Sequence, residues 1–229
     1  MSITATSVSK TYAGPRALRT EALSNVSIEI TEGTCTIIHG PAGSGKSTLL
    51  GLLAGIARPT AGEIAFNGFR LTRAADRELA RFRELHVGYI PQSPALLEHL
   101  TLLENVILPH AFFQRNVTEL RRKAITLLDI LGLRAKTGLK PPELSGSDNK
   151  KAMTARALIK DPLFLFADEP VAELDDGSAA AVLGLFSELR TKGSALVMAT
   201  RAPFSLKPVP NTYKLSGGRI VEIRRVKPH

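Results

Sequence analysis

Gly40-Pro41-Ala42-Gly43-Ser44-Gly45-Lys46-Ser47, followed by Thr48, decides how the rest of the chain is read. The stretch matches a phosphate-binding loop at every fixed position. Backbone N–H groups can converge on phosphate oxygens only where side chains leave room. Gly40, Gly43 and Gly45 let the chain curl that closely. A helix starting near Gly45 and running through Ser47–Ala54 adds the positive end of its dipole. In such a loop Lys46 sets its ammonium on the β- and γ-phosphates, and the Ser47 hydroxyl ligates Mg²⁺. The apolar run Thr34–His39 enters the loop as a strand, which is the context the motif requires.

Phosphoryl transfer to water also needs a metal-binding carboxylate and a group that orients the water. Leu163–Ala167 reads as a buried strand, and Asp168-Glu169-Pro170 follows it directly. Asp168 is the candidate metal ligand. Glu169 is the candidate for polarising the attacking water.

Around these motifs the chain alternates between two periodicities. Ser2–Val8, Asn25–Ile30, Cys35–His39 and Glu63–Phe66 read as short strands. Leu102–Gln114, Thr118–Leu131, Asn149–Lys160 and Ser178–Thr191 carry apolar residues at helical spacing. Ala195–Thr200 is a further apolar run, and Thr212–Leu215 and Arg219–Arg224 flank Gly217-Gly218 as a hairpin. Strand–helix–strand alternation implies an α/β fold with a parallel sheet covered by helices. Arg224–Lys227 reads as a solvated end.

Gross composition narrows the function classes. A net charge of +9 and a pI near 9.9 favour an anionic partner: nucleotide, nucleic acid or acidic lipid. The single cysteine, Cys35, has no internal disulfide partner, and a buried reduced thiol fits a reducing compartment. The first ten residues are too polar for a secretory signal, and no apolar stretch approaches the ~20 residues of a membrane span. A membrane role would therefore come through a partner.

The order of the remaining landmarks resembles the ATP-binding domains of ABC transporters. Leu144-Ser145-Gly146 precedes the Asn149–Lys160 helix and then Asp168, as the signature motif does in that family. The resemblance implies that Ser145 and Gly146 contact the γ-phosphate bound by an opposite subunit. It implies that Tyr12 stacks on adenine, and that Gln92, in Gly88-Tyr89-Ile90-Pro91-Gln92, senses Mg²⁺ and the transmembrane partner. Asp175 resembles the acidic loop at the dimer interface. Taken from Val8 to about Ile223, the resemblance implies a phosphate-loop NTPase of ABC type. Its parts are a RecA-like parallel-sheet core, an antiparallel β-subdomain and a helical subdomain near 74–161. It implies ATP and Mg²⁺ as ligands and a separate transmembrane permease as partner. It further implies a homodimer, or a heterodimer with a second ABC ATPase, peripheral on the cytoplasmic face of the inner membrane. Val87–Gln92 through Leu102–Val106 most resembles the lipoprotein-releasing and macrolide-export ATPases. Ser93–Arg115, rich in Leu, Phe and Pro, is expected to line the permease groove, although a helical-subdomain core accounts for its leucines equally well.

Three departures from the family pattern bear on turnover. The signature ends in Ser147-Asp148 where the family has Gly-Gln, and Asp148 is expected to bring negative charge toward an anionic ligand, offset in part by Lys150-Lys151. Arg201 stands where the family has a γ-phosphate histidine; it can hold phosphate but cannot accept a proton there. Ala172-Glu173 adds charge to the acidic loop. Two readings follow: a working ATPase, or a cassette that binds ATP firmly and hydrolyses it slowly in a heteromeric complex. Nucleic-acid binding rests only on the basic charge, because the interval from Lys46 to Ser145 holds no sustained heptads for the coiled coils of DNA-associated relatives.

Overall fold

Strand pairing in the computed structural model, which describes residues 1–14, 19–111, 117–201 and 210–225, gives two sheets. The smaller sheet is antiparallel. Its strands β1 (Ser2–Ala13), β2 (Arg19–Thr31), β4 (Ala61–Phe66) and β5 (Phe69–Arg70) run in the order β2-β1-β4-β5.

The larger sheet contains β3 (Cys35–His39), β6 (Val87–Ile90), β7 (Phe164–Asp168), β8 (Ala195–Thr200), β9 (Asn211–Ser216) and β10 (Arg219–Arg224), in the order β10-β9-β3-β8-β7-β6. All its neighbours pair in parallel except β9 and β10, which form the terminal hairpin. The inner strands β7 and β8 are paired in parallel on both sides and buried on both faces, so they run nearly continuously apolar rather than alternating. On β7, Phe164 and Phe166 face the core shared with the small sheet, while Leu165 and Ala167 face the helices.

Six α-helices complete the described chain: α1 (Lys46–Leu53), α2 (Asp76–His86), α3 (Leu102–Ala111), α4 (Val117–Ile130), α5 (Gly146–Leu158) and α6 (Asp176–Thr191). Among the described residues no helix is long and apolar enough to cross a membrane. α1 packs into the core shared by the two sheets through Leu49, Leu50, Leu52 and Leu53, and α3–α6 cover the opposite face of the large sheet. Most strand and helix boundaries agree with the sequence reading within a few residues. The end of the first mid-chain helix (112–114) and the tail beyond 225 lie outside the described residues.

Two elements were not legible as such. α2 buries only Leu79 and Phe82 among its charged residues, so helical spacing is weak there; Glu78 accepts the Ala75 N–H at 2.7 Å and starts the helix. β6 lies inside the 74–161 span but pairs with β7 in the large sheet. Cys35 is half-buried, and burial pushes its thiol up to about 11, which keeps it protonated.

Candidate functional site

The loop between β3 and α1 is shaped by close approach. A side chain at Gly40 would put a Cβ 2.1 Å from the Leu215 carbonyl oxygen. At Gly45, where φ is +99°, it would lie 2.4 Å from the Ala22 oxygen. Neither position has room for another residue. Strand β3 delivers the loop at the carboxyl edge of the parallel sheet, and β7 delivers Asp168 at the same edge, two strands away. Open parallel sheets place their ligand sites along this edge.

A cavity of about 350 Å³ opens there. It brings together Tyr12, Ala42–Thr48 of the loop, Gln92, Asp168, Glu169 and Arg201. Gly40 and Pro41 form the loop's base rather than its lining: Lys46 Nζ donates to their carbonyl oxygens, at 2.7 and 2.9 Å. Lys46 is only 7 % exposed, and burial lowers its pKa against the pull of Glu169 and Asp168.

Asp168 is 2 % exposed. Burial raises its pKa, while a hydrogen bond from the Ser47 side chain, with Lys46 and Lys150, opposes that rise. Its Oδ1 has no hydrogen-bond partner, a costly arrangement for a buried carboxylate oxygen. An orphaned carboxylate oxygen beside a serine hydroxyl fits a hard divalent cation that prefers oxygen ligands.

Glu169 follows in the left-handed region, at φ 47°, which turns its side chain into the cavity. Its N–H donates to the Ala199 oxygen at 2.9 Å, anchoring the turn to β8. The carboxylate is 3.7 Å from Arg201 Nε; the arginine is 72 % exposed and the glutamate 14 %. Arg201 therefore stands over Glu169 as well as over the loop. From sequence it is expected only to hold phosphate.

Tyr12 is exposed, with Lys10 Nζ 5.1 Å from its ring centroid. Thr20, Glu21 and Ala22 also line the cavity and are absent from the residues expected from sequence. The signal was available, because hairpin pairing sets Thr20 opposite Tyr12. Exposed Gln92 begins the segment leading to α3, which buried Asn105 holds in place. Asn105 Oδ1 accepts the Leu97 N–H at 2.7 Å, and its Nδ2 donates to the Leu97, Leu100 and Thr101 carbonyls.

Ser145, Gly146 and Asp175 do not line this cavity. Ser145 caps α5, accepting the Asp148 N–H at 3.0 Å, and both Ser145 and Gly146 are exposed. Asp175 caps α6, accepting the Ser178 N–H at 2.9 Å and its hydroxyl at 2.7 Å.

One sequence expectation is corrected here. Asp148 does not face outward toward a ligand; it is buried and paired with Lys136 at 2.6 Å and Lys151 at 3.2 Å. Burial alone would raise its pKa, but hydrogen bonds from Lys136, Ser145 and Lys151 hold the carboxyl at about 2. Lys150 takes no part in this neutralisation, because its ammonium turns to the backbone of Glu169 and Ala172.

A glycine-tight loop feeding a helix, with a buried aspartate at the next strand end but one, defines a phosphate-loop nucleotide-binding protein. The particular family follows from the wider sequence. The chain matches the ABC transporter family over residues 23–172. An ABC transporter ATP-binding protein of Thermotoga maritima is 39 % identical over 208 residues, covering 91 % of this chain and 89 % of that protein. The lipoprotein-releasing system ATP-binding protein LolD of Bacteroides fragilis is 34 % identical over 202 residues, 88 % of this chain and 94 % of its own length. Among solved structures, a dimeric bacterial ABC transporter cassette superposes with a TM-score of 0.90 at 30 % identity, covering 99 % of this chain and 100 % of that one. A cassette in a dimeric post-hydrolysis state bound to ADP and phosphate gives 0.89, also at 30 % identity and with the same coverage. This chain belongs to the ABC transporter family, as one of its ATP-binding subunits.

Proposed function

We propose that the cavity binds ATP with Mg²⁺ and supports its hydrolysis when a second cassette closes over it, driving a separate transmembrane permease. The observation that carries this reading is the buried Asp168 carboxylate, one oxygen unpartnered, next to Ser47 and the Lys46 loop. Ser47, Asp168 and Gln92 would hold the cation. When bound, Mg²⁺ neutralises charge that develops on the phosphate oxygens.

The chain's own groups divide the remaining work. Loop N–H groups and Lys46 receive the phosphates, with Lys46 exchanging its contacts to the Gly40 and Pro41 carbonyls for phosphate oxygens. Tyr12 offers a ring face to the base. Glu169 orients and deprotonates the attacking water. Ser145 and Gly146, exposed at the positive end of α5, complete the site of a facing cassette, and Asp175 lies at the seam. The helical segments within 74–161 form the subdomain that carries this signature, and the protein works at the periphery of the inner membrane.

A second reading concerns the rate. The Arg201–Glu169 pair favours slow turnover, because it holds the water-activating carboxylate against a fixed cation. A heterodimer with a more regular cassette suits that arrangement better than a homodimer. Steady-state hydrolysis and ATP binding by the isolated chain test both readings. Lys46→Ala is expected to abolish binding, and Glu169→Gln to abolish turnover while sparing binding. ATP binding that survives Lys46→Ala overturns the site; a robust rate lost on Glu169→Gln overturns the slow-turnover reading.

A further inference from the structure

Lys150 lies one turn into α5, and sequence alone suggests only a basic neighbour for Asp148. The structure gives it another position. Its side chain is 7 % exposed, and its Nζ donates to the Glu169 carbonyl oxygen at 3.0 Å and the Ala172 carbonyl oxygen at 2.7 Å. An ammonium this deeply buried is costly unless its donors are used, and two of the three are spent on these carbonyls.

Both carbonyls belong to one turn. The Ala172 N–H also donates to the Glu169 oxygen, at 3.2 Å, and the Leu174 N–H to the Val171 oxygen at 3.3 Å. Glu169 sits at φ 47° and Glu173 at φ 67°, conformations that cost a non-glycine residue of order 1 kcal/mol or more each. Such a turn persists only where its surroundings hold it. The β8 backbone holds one side through Ala199, and Lys150 holds the other. Ser145 and Gly146 sit on the same first turn of α5.

We propose that Lys150 is the positioning residue of Glu169: it ties the backbone of the Glu169–Ala172 turn to the first turns of α5, so that a displacement of the exposed Ser145–Gly146 tip is delivered to the Glu169 carboxylate. The proposal rests on the ATP-site reading above and adds a route between two sites. Nucleotide held against the α5 tip by a facing cassette changes the geometry of this chain's own glutamate. The helix moves as a body and need not melt, because one buried side chain spans the gap.

The test compares Lys150→Met, which keeps the stem and removes the donors, with Lys150→Arg, which restores donors. Amide hydrogen exchange is measured on the nucleotide-free chain, with ATP binding, kcat and KM alongside. Lys150→Met is expected to speed exchange across 169–174 by roughly 10-fold or more while loop amides keep the wild-type rate. It is also expected to lower kcat by roughly 10-fold with KM within about 2-fold, and Lys150→Arg to recover most of both effects. Unchanged exchange across 169–174 overturns the proposal, as does a loss shared equally by kcat and KM, or a loss that Lys150→Arg fails to recover. Because the exchange measurement needs no turnover, it stands even where hydrolysis is slow. Failure of the Lys46→Ala binding control overturns the ATP-site reading instead.

Discussion

Replacing Asp148 by Asn keeps the shape of the side chain and removes only its charge. The variant retains the backbone N–H that Ser145 caps, but strands Lys136 and Lys151, of which Lys151 is 12 % exposed. The folded carboxyl titrates at about 2 against an ordinary 3.8, so the native state binds that proton less tightly than the unfolded chain does. At about 1.4 kcal/mol per tenfold in proton affinity, the pairing contributes about 2 kcal/mol of stability. Because the folded value is depressed, this contribution is present in full above the ordinary carboxylate range and is lost as pH falls from about 4 toward 2. Urea unfolding of Asp148→Asn at neutral pH should show a loss of about 2 kcal/mol, or a melting point lower by about 4–8 °C for a chain of this size. The gap to wild type should close as pH approaches 2. A gap that stays constant with pH would refute the argument, and so would a variant as stable as wild type at pH 7. A third refutation is functional: tighter nucleotide-driven dimerisation in the variant would mean that Asp148 faces the ligand after all.

Three further outcomes follow from the same structure. Arg201→Ala removes an ion pair at 3.7 Å whose arginine is mostly solvated; such pairs contribute about 1 kcal/mol at most, so kcat should rise no more than about 5-fold while KM for ATP increases. Added salt should raise the wild-type rate in the same direction, and a fall in kcat for Arg201→Ala would contradict the pairing. Gly45→Ala places a Cβ 2.4 Å from the Ala22 oxygen at φ +99°, and should cost about 1–3 kcal/mol in thermal unfolding and abolish ATP binding. Burial, with Lys160 and Lys123 nearby, lowers the His110 pKa to about 4; the neutral ring is the one the fold accepts, so stability should fall by up to about 3 kcal/mol as pH drops from 6.5 toward 4. His110→Gln should flatten that slope in pH-dependent urea titrations.

The fold was legible wherever a local rule forced it. The Gly40–Ser47 loop dictates a strand before it and a helix after it, and the apolar run Leu163–Ala167 before Asp168-Glu169-Pro170 reads as the buried strand that the structure places at Phe164–Asp168. α2 was not legible, because a helix that lies over the core by two side chains is polar nearly all round. The cavity was mostly legible because its parts sit at strand ends, whose order along the chain fixes their order in space. Side-chain direction was not legible. Lys150, Lys151 and Asp148 are neighbours in sequence, and only the rotation of α5 decides that one cation meets the aspartate while the other meets the Glu169 turn. Lys151 stands three residues after Asp148, on the same helix face, while Lys150 stands only two after it and points elsewhere; the distinction follows once α5 is known to begin at Gly146 rather than at Asn149.

That rotation also changes what the departures from the family pattern mean. From sequence, Ser147 and Asp148 burden the signature offered to a facing cassette, while Arg201 burdens this chain's own site. Asp148 is in fact neutralised inside the molecule, and its main-chain N–H is used by the Ser145 cap. The signature tip that remains exposed is Ser145-Gly146, with Ser147 half-buried behind it. Of the departures at Asp148 and Arg201, the second is the one that still acts on a charge, at Glu169, which Arg201 meets at its carboxylate and Lys150 at its carbonyl. The first contact is long and solvated, and its energy is within reach of ionic strength or of a phosphate competing for the arginine. The second is short and buried, and holds the backbone whatever the charge of the side chain. If the chain pairs as proposed, a cassette built this way would lend its signature to a partner with little penalty and would restrain its own glutamate. In such a mixed pair the slow site would be the one that uses this chain's phosphate loop.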